Sequence, residues 1–146
     1  MTHFSKFNGF RIGVAALLFL GLAIATPSVG LATGFGVSQA PEAGTGVCFG
    51  DNADSTMACA RKKCMAQSGL SAADCPRILW CFPAGWTADI FMQHREGIHW
   101  HEFLCGWDSR ETLQSAVDLK CKKEFLIECS AVQIWSPEGR PQMSNE

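Results

Sequence analysis

The chain has 146 residues, with twelve lysines and arginines against fourteen aspartates and glutamates, four histidines, eight cysteines, five tryptophans and no tyrosine. That length suits one domain, and a formal charge of −2 disfavours nucleic acid and anionic membrane surfaces as partners.

Residues 1–11 carry Lys6 and Arg11 and no acid, and residues 12–25 (IGVAALLFLGLAIA) form a 14-residue apolar run. Small residues stand at Ala23 and Ala25, and again at Gly30 and Ala32. This is the layout of a secretory signal peptide, assigned to residues 1–32. A membrane anchor would need about 20 apolar residues, so the run favours cleavage and no stable membrane insertion afterwards. Removal of the segment leaves 114 residues holding all eight cysteines, with ten basic residues against fourteen acidic ones and a formal charge of −4. A chain of that size buries about two-thirds of its unfolded surface, enough for one modest core that cross-links would supplement. An even cysteine count in an exported chain argues for disulfides in an oxidising compartment, periplasmic or extracellular.

Residues 33–45 are rich in Gly, Ala, Ser and Pro and predict a flexible leader. The disulfide-rich domain is expected over 46–136. Val47, Cys48 and Phe49 predict a short strand, and residues 50–54 (GDNAD) a turn that delivers Asp54 or Ser55 to a helix N-cap. The helix runs to about Gln67 with Met57, Ala60 and Cys64 on one stripe, while the basic run Arg61, Lys62 and Lys63 is solvated and Ser68 and Gly69 end it. After Pro76, residues 78–82 (ILWCF) suit a buried strand. Residues 86–92 and 98–107 (IHWHEFLCGW), separated by a turn at 95–97, predict a hairpin. Period-two alternation places Ile98, Trp100, Glu102 and Leu104 on one side of its second strand, and His99, His101, Phe103 and Cys105 on the other. A second helix starts at Asp108, with Glu111 completing a capping-box pattern and Leu113, Ala116, Val117 and Cys121 facing inward. Residues 131–135 supply the last strand, and 137–146 predict a disordered tail.

Two stretches share one order: acidic N-cap, alanine-bearing helix, cysteine (Cys64 or Cys121), acid–cysteine pair (Asp74 and Cys75, or Glu128 and Cys129), then an apolar run. The expected fold class is therefore α+β with two pseudo-repeats, an antiparallel sheet carrying both helices on one face, and disulfide staples. Superposed, the copies equate Cys48 with Cys105 (CFGD and CGWD). The short connections predict Cys64–Cys75 and Cys121–Cys129 bridges. Cys59 and Cys64 lie about 140° apart around a helix and cannot pair within it. Cys48, Cys59, Cys81 and Cys105 then admit three pairings, of which Cys59–Cys81 with Cys48–Cys105 is slightly favoured.

The pattern resembles the bacterial secreted proteins grouped as domain of unknown function 4189. The matching residues are Ala58, Ala60, Cys64 and Cys75 with ILW behind them, and Ala116, Cys121 and Cys129 with AVQIW behind them. The resemblance covers residues 47–135 and departs from the family in its long first loop and in the central IHWHEFLCGW. It implies an exported α+β domain and no reaction.

Three chemistries bear on the remaining residues. His94, His99 and His101, with Cys105, could hold zinc or copper; the plainer reading is surface histidines beside a disulfide cysteine. A hydrolase would need a nucleophile, a base and an orienting acid; Ser109 and Ser130 have no elbow motif, and Cys105 has seven cysteines competing to oxidise it. Indole suits partner surfaces and sugar-stacking platforms as well as cores. The expected function is thus a non-enzymatic, cofactor-free exported module that binds a protein or cell-envelope component, with Trp86, His99, Trp100 and His101 as the candidate surface and metal binding as the alternative.

Overall fold

A computed structural model describes residues 33–142; the signal peptide expected at 1–32 lies outside them, as do residues 143–146. The elements run β1 (Gly34–Ala40), β2 (Gly44–Gly50), α1 (Ala53–Ser68), β3 (Arg77–Cys81), β4 (Trp86–His94), β5 (His99–Trp107), α2 (Arg110–Cys121), β6 (Leu126–Trp135) and β7 (Pro141–Gln142). The strands form two antiparallel sheets, in the orders β2-β1-β3 and β5-β4-β6-β7. The α+β class and the staples match expectation; the single sheet does not. Each half makes a hairpin, then a helix, then a strand that returns beside the first strand of its own hairpin. The first strand of each hairpin is thereby paired on both edges within its own half, and the halves meet face to face instead of edge to edge.

The stretch expected as a flexible leader, 33–45, is the middle strand of the first sheet and its turn into β2. Its small residues are a packing device. On the α1 side of the sheet, a Cβ at Gly46 would stand 1.8 Å from the Ala60 carbonyl oxygen, and one at Gly36 would stand 2.9 Å from the Met57 sulfur. Glycines here let the helix backbone lie almost directly on the sheet. On the other side β1 and β2 pair Phe35 with Phe49, Val37 with Val47 and Gln39 with Thr45. The polar tail is likewise partly ordered: the Ser136 N–H donates to the Arg140 carbonyl at 2.9 Å, and β7 pairs with the end of β6.

Both helices begin near their predicted positions with different caps. Asn52, not Asp54 or Ser55, caps α1, its side chain accepting from the Ser55 N–H at 3.1 Å. Ser109, not Asp108, caps α2, in a reciprocal box with Thr112. Gly69 ends α1 at φ 72°, its N–H bonded to the Met65 carbonyl. Of the basic run, Lys62 and Lys63 are exposed, whereas half-buried Arg61 donates to the Cys75 carbonyl at 3.2 Å.

α2 covers the second sheet through Leu113 and Val117, which bury Ala88, Ile90, Met92 and Ile134 with Trp86, Trp100 and Trp107 at the margin. Between the sheets, Phe35, Val37 and Ala84 gather Phe49, Leu79, Phe103 and Trp135. The order of layers is therefore α1, first sheet, second sheet, α2.

The disulfides are Cys48–Cys59, Cys64–Cys75, Cys81–Cys105 and Cys121–Cys129. The two predicted from short connections form. The slightly favoured pairs, Cys59–Cys81 and Cys48–Cys105, do not. The two halves differ at one place: Cys59 stands five residues before Cys64, but Ala116 stands five before Cys121. Cys48 on β2 finds Cys59 on the helix that follows it, whereas the helix after Cys105 offers no equivalent cysteine, so Cys105 reaches Cys81 at the end of β3 and ties the sheets together.

Candidate functional site

The inner faces of both sheets change character along their length. At one end the pairs Phe35/Phe49 and Val37/Val47 meet Phe103 and Trp135, and the sheets close into a core. At the other, Gln39/Thr45 on the first sheet stands across from Asp89, Phe91, His99 and His101 on the second, and the sheets part around a cleft of about 620 Å³. The β1–β2 turn and Gln67 from α1 form one wall, and the β4–β5 hairpin forms the other. That volume is in the range of small-molecule sites.

Register builds the second wall. β4 and β5 pair Asp89 with Phe103, Phe91 with His101 and Gln93 with His99, so all six side chains share the inner face. The Phe91 ring lies 5.7 Å from His99 and 5.6 Å from His101, centroid to centroid. Asp89, 15% exposed, places Oδ1 2.7 Å from His101 Nδ1, while the imidazole remains 33% exposed. Burial pushes the Asp89 carboxyl above the ordinary carboxylate range, and the hydrogen bond and charge of His101 oppose that rise. On the facing wall Gln39 Nε2 donates to Thr45 Oγ1 at 3.2 Å, and the Thr45 N–H donates to Gln67 Oε1 at 3.1 Å. Glu42, exposed and at φ 58°, sits in the turn at the rim. No lysine or arginine lines the cleft among the described residues.

The structure divides the residues singled out in the sequence. His99 and His101 share the cleft wall, as alternation predicted. Trp86 and Trp100 do not join them: both pack against the core under α2, although Trp100 also borders the cleft. His94 is separated as well, its ring 5.2 Å from Phe125 and its Nδ1 3.7 Å from Glu96. Among the described residues no group of three or more His, Cys, Asp or Glu is placed to hold a metal ion, so the metal alternative has no support. Cys105 is bridged and supplies neither a ligand nor a nucleophile. Ser109 is an N-cap and Ser130 an exposed residue of β6.

Asp89, Phe91, Gln39, Thr45 and Gln67 were not anticipated. Asp89 carried a signal: it is the one acid in the otherwise apolar and small run WTADIFM, and hairpin register aims it at the histidine face. Gln39 and Thr45 fell in the stretch read as a leader.

Fold and site together define a disulfide-stapled α+β domain of two sheets with an open, aromatic and amide-lined cleft between its hairpins. No family model matches the chain, and neither the curated proteins nor the solved structures contain a match to it.

Proposed function

We propose that the domain is an exported, non-enzymatic binding module that receives a protein or cell-envelope component in the cleft between the β1–β2 and β4–β5 hairpins. The observation that carries this is the construction of the cleft: the phenyl ring of Phe91 in contact with two imidazoles, opposite two fixed side-chain amides. Such a mixture of apolar surface with a few oriented polar groups is what ligand sites share. The Asp89–His101 pair holds an imidazole in a set orientation at the cleft wall. Export is supported by the N-terminal pattern and by four disulfides, which suit an oxidising compartment. Among the described residues no helix is long and apolar enough to cross a membrane. The resemblance to domain of unknown function 4189 agrees with an exported domain and adds no reaction.

The test is an amide NMR titration of the oxidised, processed protein with soluble cell-envelope extract. Shifts concentrated at Phe91, His99, His101, Gln39 and Thr45, and abolished by Phe91→Ala, are expected. Shifts confined to other surfaces would place binding elsewhere and overturn the assignment.

A further inference from the structure

We infer that the cleft takes a neutral saccharide, a ligand class that rests on the cleft being the binding site. A sugar ring presents two chemistries: a face of C–H groups that stacks on aromatic surfaces, and a rim of hydroxyls that each donate and accept. Both have counterparts here on facing walls.

Phe91, with His99 and His101 of the neighbouring strand against its ring, is the aromatic platform. The groups across from it are matched to hydroxyls because each offers a donor or an acceptor without a full charge. Gln67 uses its Oε1 on the Thr45 N–H and keeps its NH2 group as a donor. Gln39 uses one N–H on Thr45 Oγ1 and keeps its Oε1 as an acceptor. The Thr45 hydroxyl, accepting from Gln39, keeps its proton to donate. His101, held through Nδ1 by Asp89, turns Nε2 away from that contact.

Charge excludes the neighbouring ligand classes. An anionic ligand, such as a phosphate ester or an acidic glycan, would want lysine or arginine, and the lining has neither among the described residues. A cationic ligand would want free carboxylates. Asp89 is nearly buried and already engaged by His101, which leaves the exposed Glu42 of the rim turn as the single other carboxylate in the lining among the described residues.

The test titrates the oxidised, processed chain with four probes: a tetramer of β-1,4-linked N-acetylglucosamine, maltotetraose, tetralysine and a sulfated disaccharide. Backbone and glutamine side-chain amide shifts are followed by NMR. Shifts from one or both neutral sugars are expected at Phe91, His99, Gln39 and Gln67, including the glutamine NH2 signals. Affinity should fall about tenfold or more in Phe91→Ala and recover in Phe91→Trp, which restores an aromatic face. Exposed His99→Ala, which leaves the core untouched, should weaken binding and so keeps the test meaningful if Phe91→Ala misfolds. Tetralysine or the sulfated sugar shifting these signals while neutral sugars do not would overturn the ligand class and leave the binding reading standing. Silence from all four probes overturns the class too. If envelope extract also leaves the cleft unperturbed, the binding reading falls with it.

Discussion

Asp89 and His101 stand diagonally across the β4–β5 hairpin, and their 2.7 Å contact decides which face of the imidazole the cleft meets. An ionised Asp89 only accepts, so a neutral His101 must carry its proton on Nδ1, and Nε2 is left as an acceptor. The nitrogen-15 shifts of the His101 ring are therefore expected to show the Nδ1–H tautomer. Asp89→Asn, which keeps an oxygen acceptor, should preserve it. Asp89→Ala should release the ring to a mixed or Nε2–H population, and an unchanged tautomer in that variant would show that Asp89 does not orient the ring.

On the opposite side of the same hairpin, Glu102 pairs with Lys120 of α2. Burial pushes the Glu102 carboxyl up, but the hydrogen bond and charge of Lys120, together with a hydrogen bond from Trp100 and the charge of Lys123, outweigh it and hold the group below its ordinary value of 4.5. A carboxyl whose folded pKa is depressed contributes stability that is complete above the unfolded value and is lost as pH falls through the folded one. Both side chains are partly solvated, so the pair contributes about 0.5–1 kcal/mol. Urea melts between neutral pH and pH 3 should show a smaller acid loss in Lys120→Met than in the parent. An identical pH dependence would mean that the ion pair does not couple α2 to the hairpin.

Gly46 and Gly69 make a contrasting pair of glycines. Gly46 needs only the absence of a side chain, since an added Cβ would meet the Ala60 carbonyl oxygen at 1.8 Å and the Cys64 nitrogen at 2.5 Å, and helix backbone cannot rotate aside. Gly69 needs only its backbone angle: at φ 72° a Cβ would meet nothing within 4 Å. Gly69→Ala should cost about 1–2 kcal/mol, the strain of an L residue in the left-handed region. Gly46→Ala should cost about 3 kcal/mol or more, at or above the usual range for overpacking. Chemical denaturation of the two variants gives the order, and a Gly46→Ala protein as stable as Gly69→Ala would contradict the close seating of α1.

These two glycines also show what could be read from the chain beforehand. Gly69 announced a helix end because Gly after a periodic stretch has one common use there. Gly34, Gly36 and Gly44, just before Gly46, read as a linker because composition cannot separate small residues that are solvated from small residues pressed against a helix, as Gly36 and Gly44 are, or against an indole, as Gly34 is against Trp80. The cost of that ambiguity was β1, and with it Gln39, Thr45 and half of the cleft. The strand carrying His99 and His101 was readable because alternation is a local property. The cleft itself was not, since it depends on which sheet faces which. Cys64–Cys75 and Cys121–Cys129 followed from short connections, whereas the remaining pairing depended on Ala116 occupying the place of Cys59, a difference between helices whose consequence appears only when β3 and β5 are brought together.

Cys81–Cys105 is the disulfide that joins the two sheets, and the other three stay within one half. It also closes the longest loop, with a sequence separation of 24 against 8 for Cys121–Cys129. In the chain-entropy account these loops correspond to about 3.5 and about 2.5 kcal/mol. Cys81→Ala with Cys105→Ala should therefore be the more destabilising of the two double substitutions in urea denaturation. Its consequence for the site should differ as well. Cys81 and Cys105 belong to the same inter-sheet cluster as Phe35, Phe103 and Trp135, the closed end from which the cleft opens. Loss of the bridge is expected to move the amide signals of Gln39, Thr45, His99 and His101 together, while loss of Cys121–Cys129 leaves those of Gln39 and Thr45 in place. Cleft signals indifferent to the Cys81–Cys105 bridge would mean that packing of the aromatic cluster alone sets the spacing of the two hairpins.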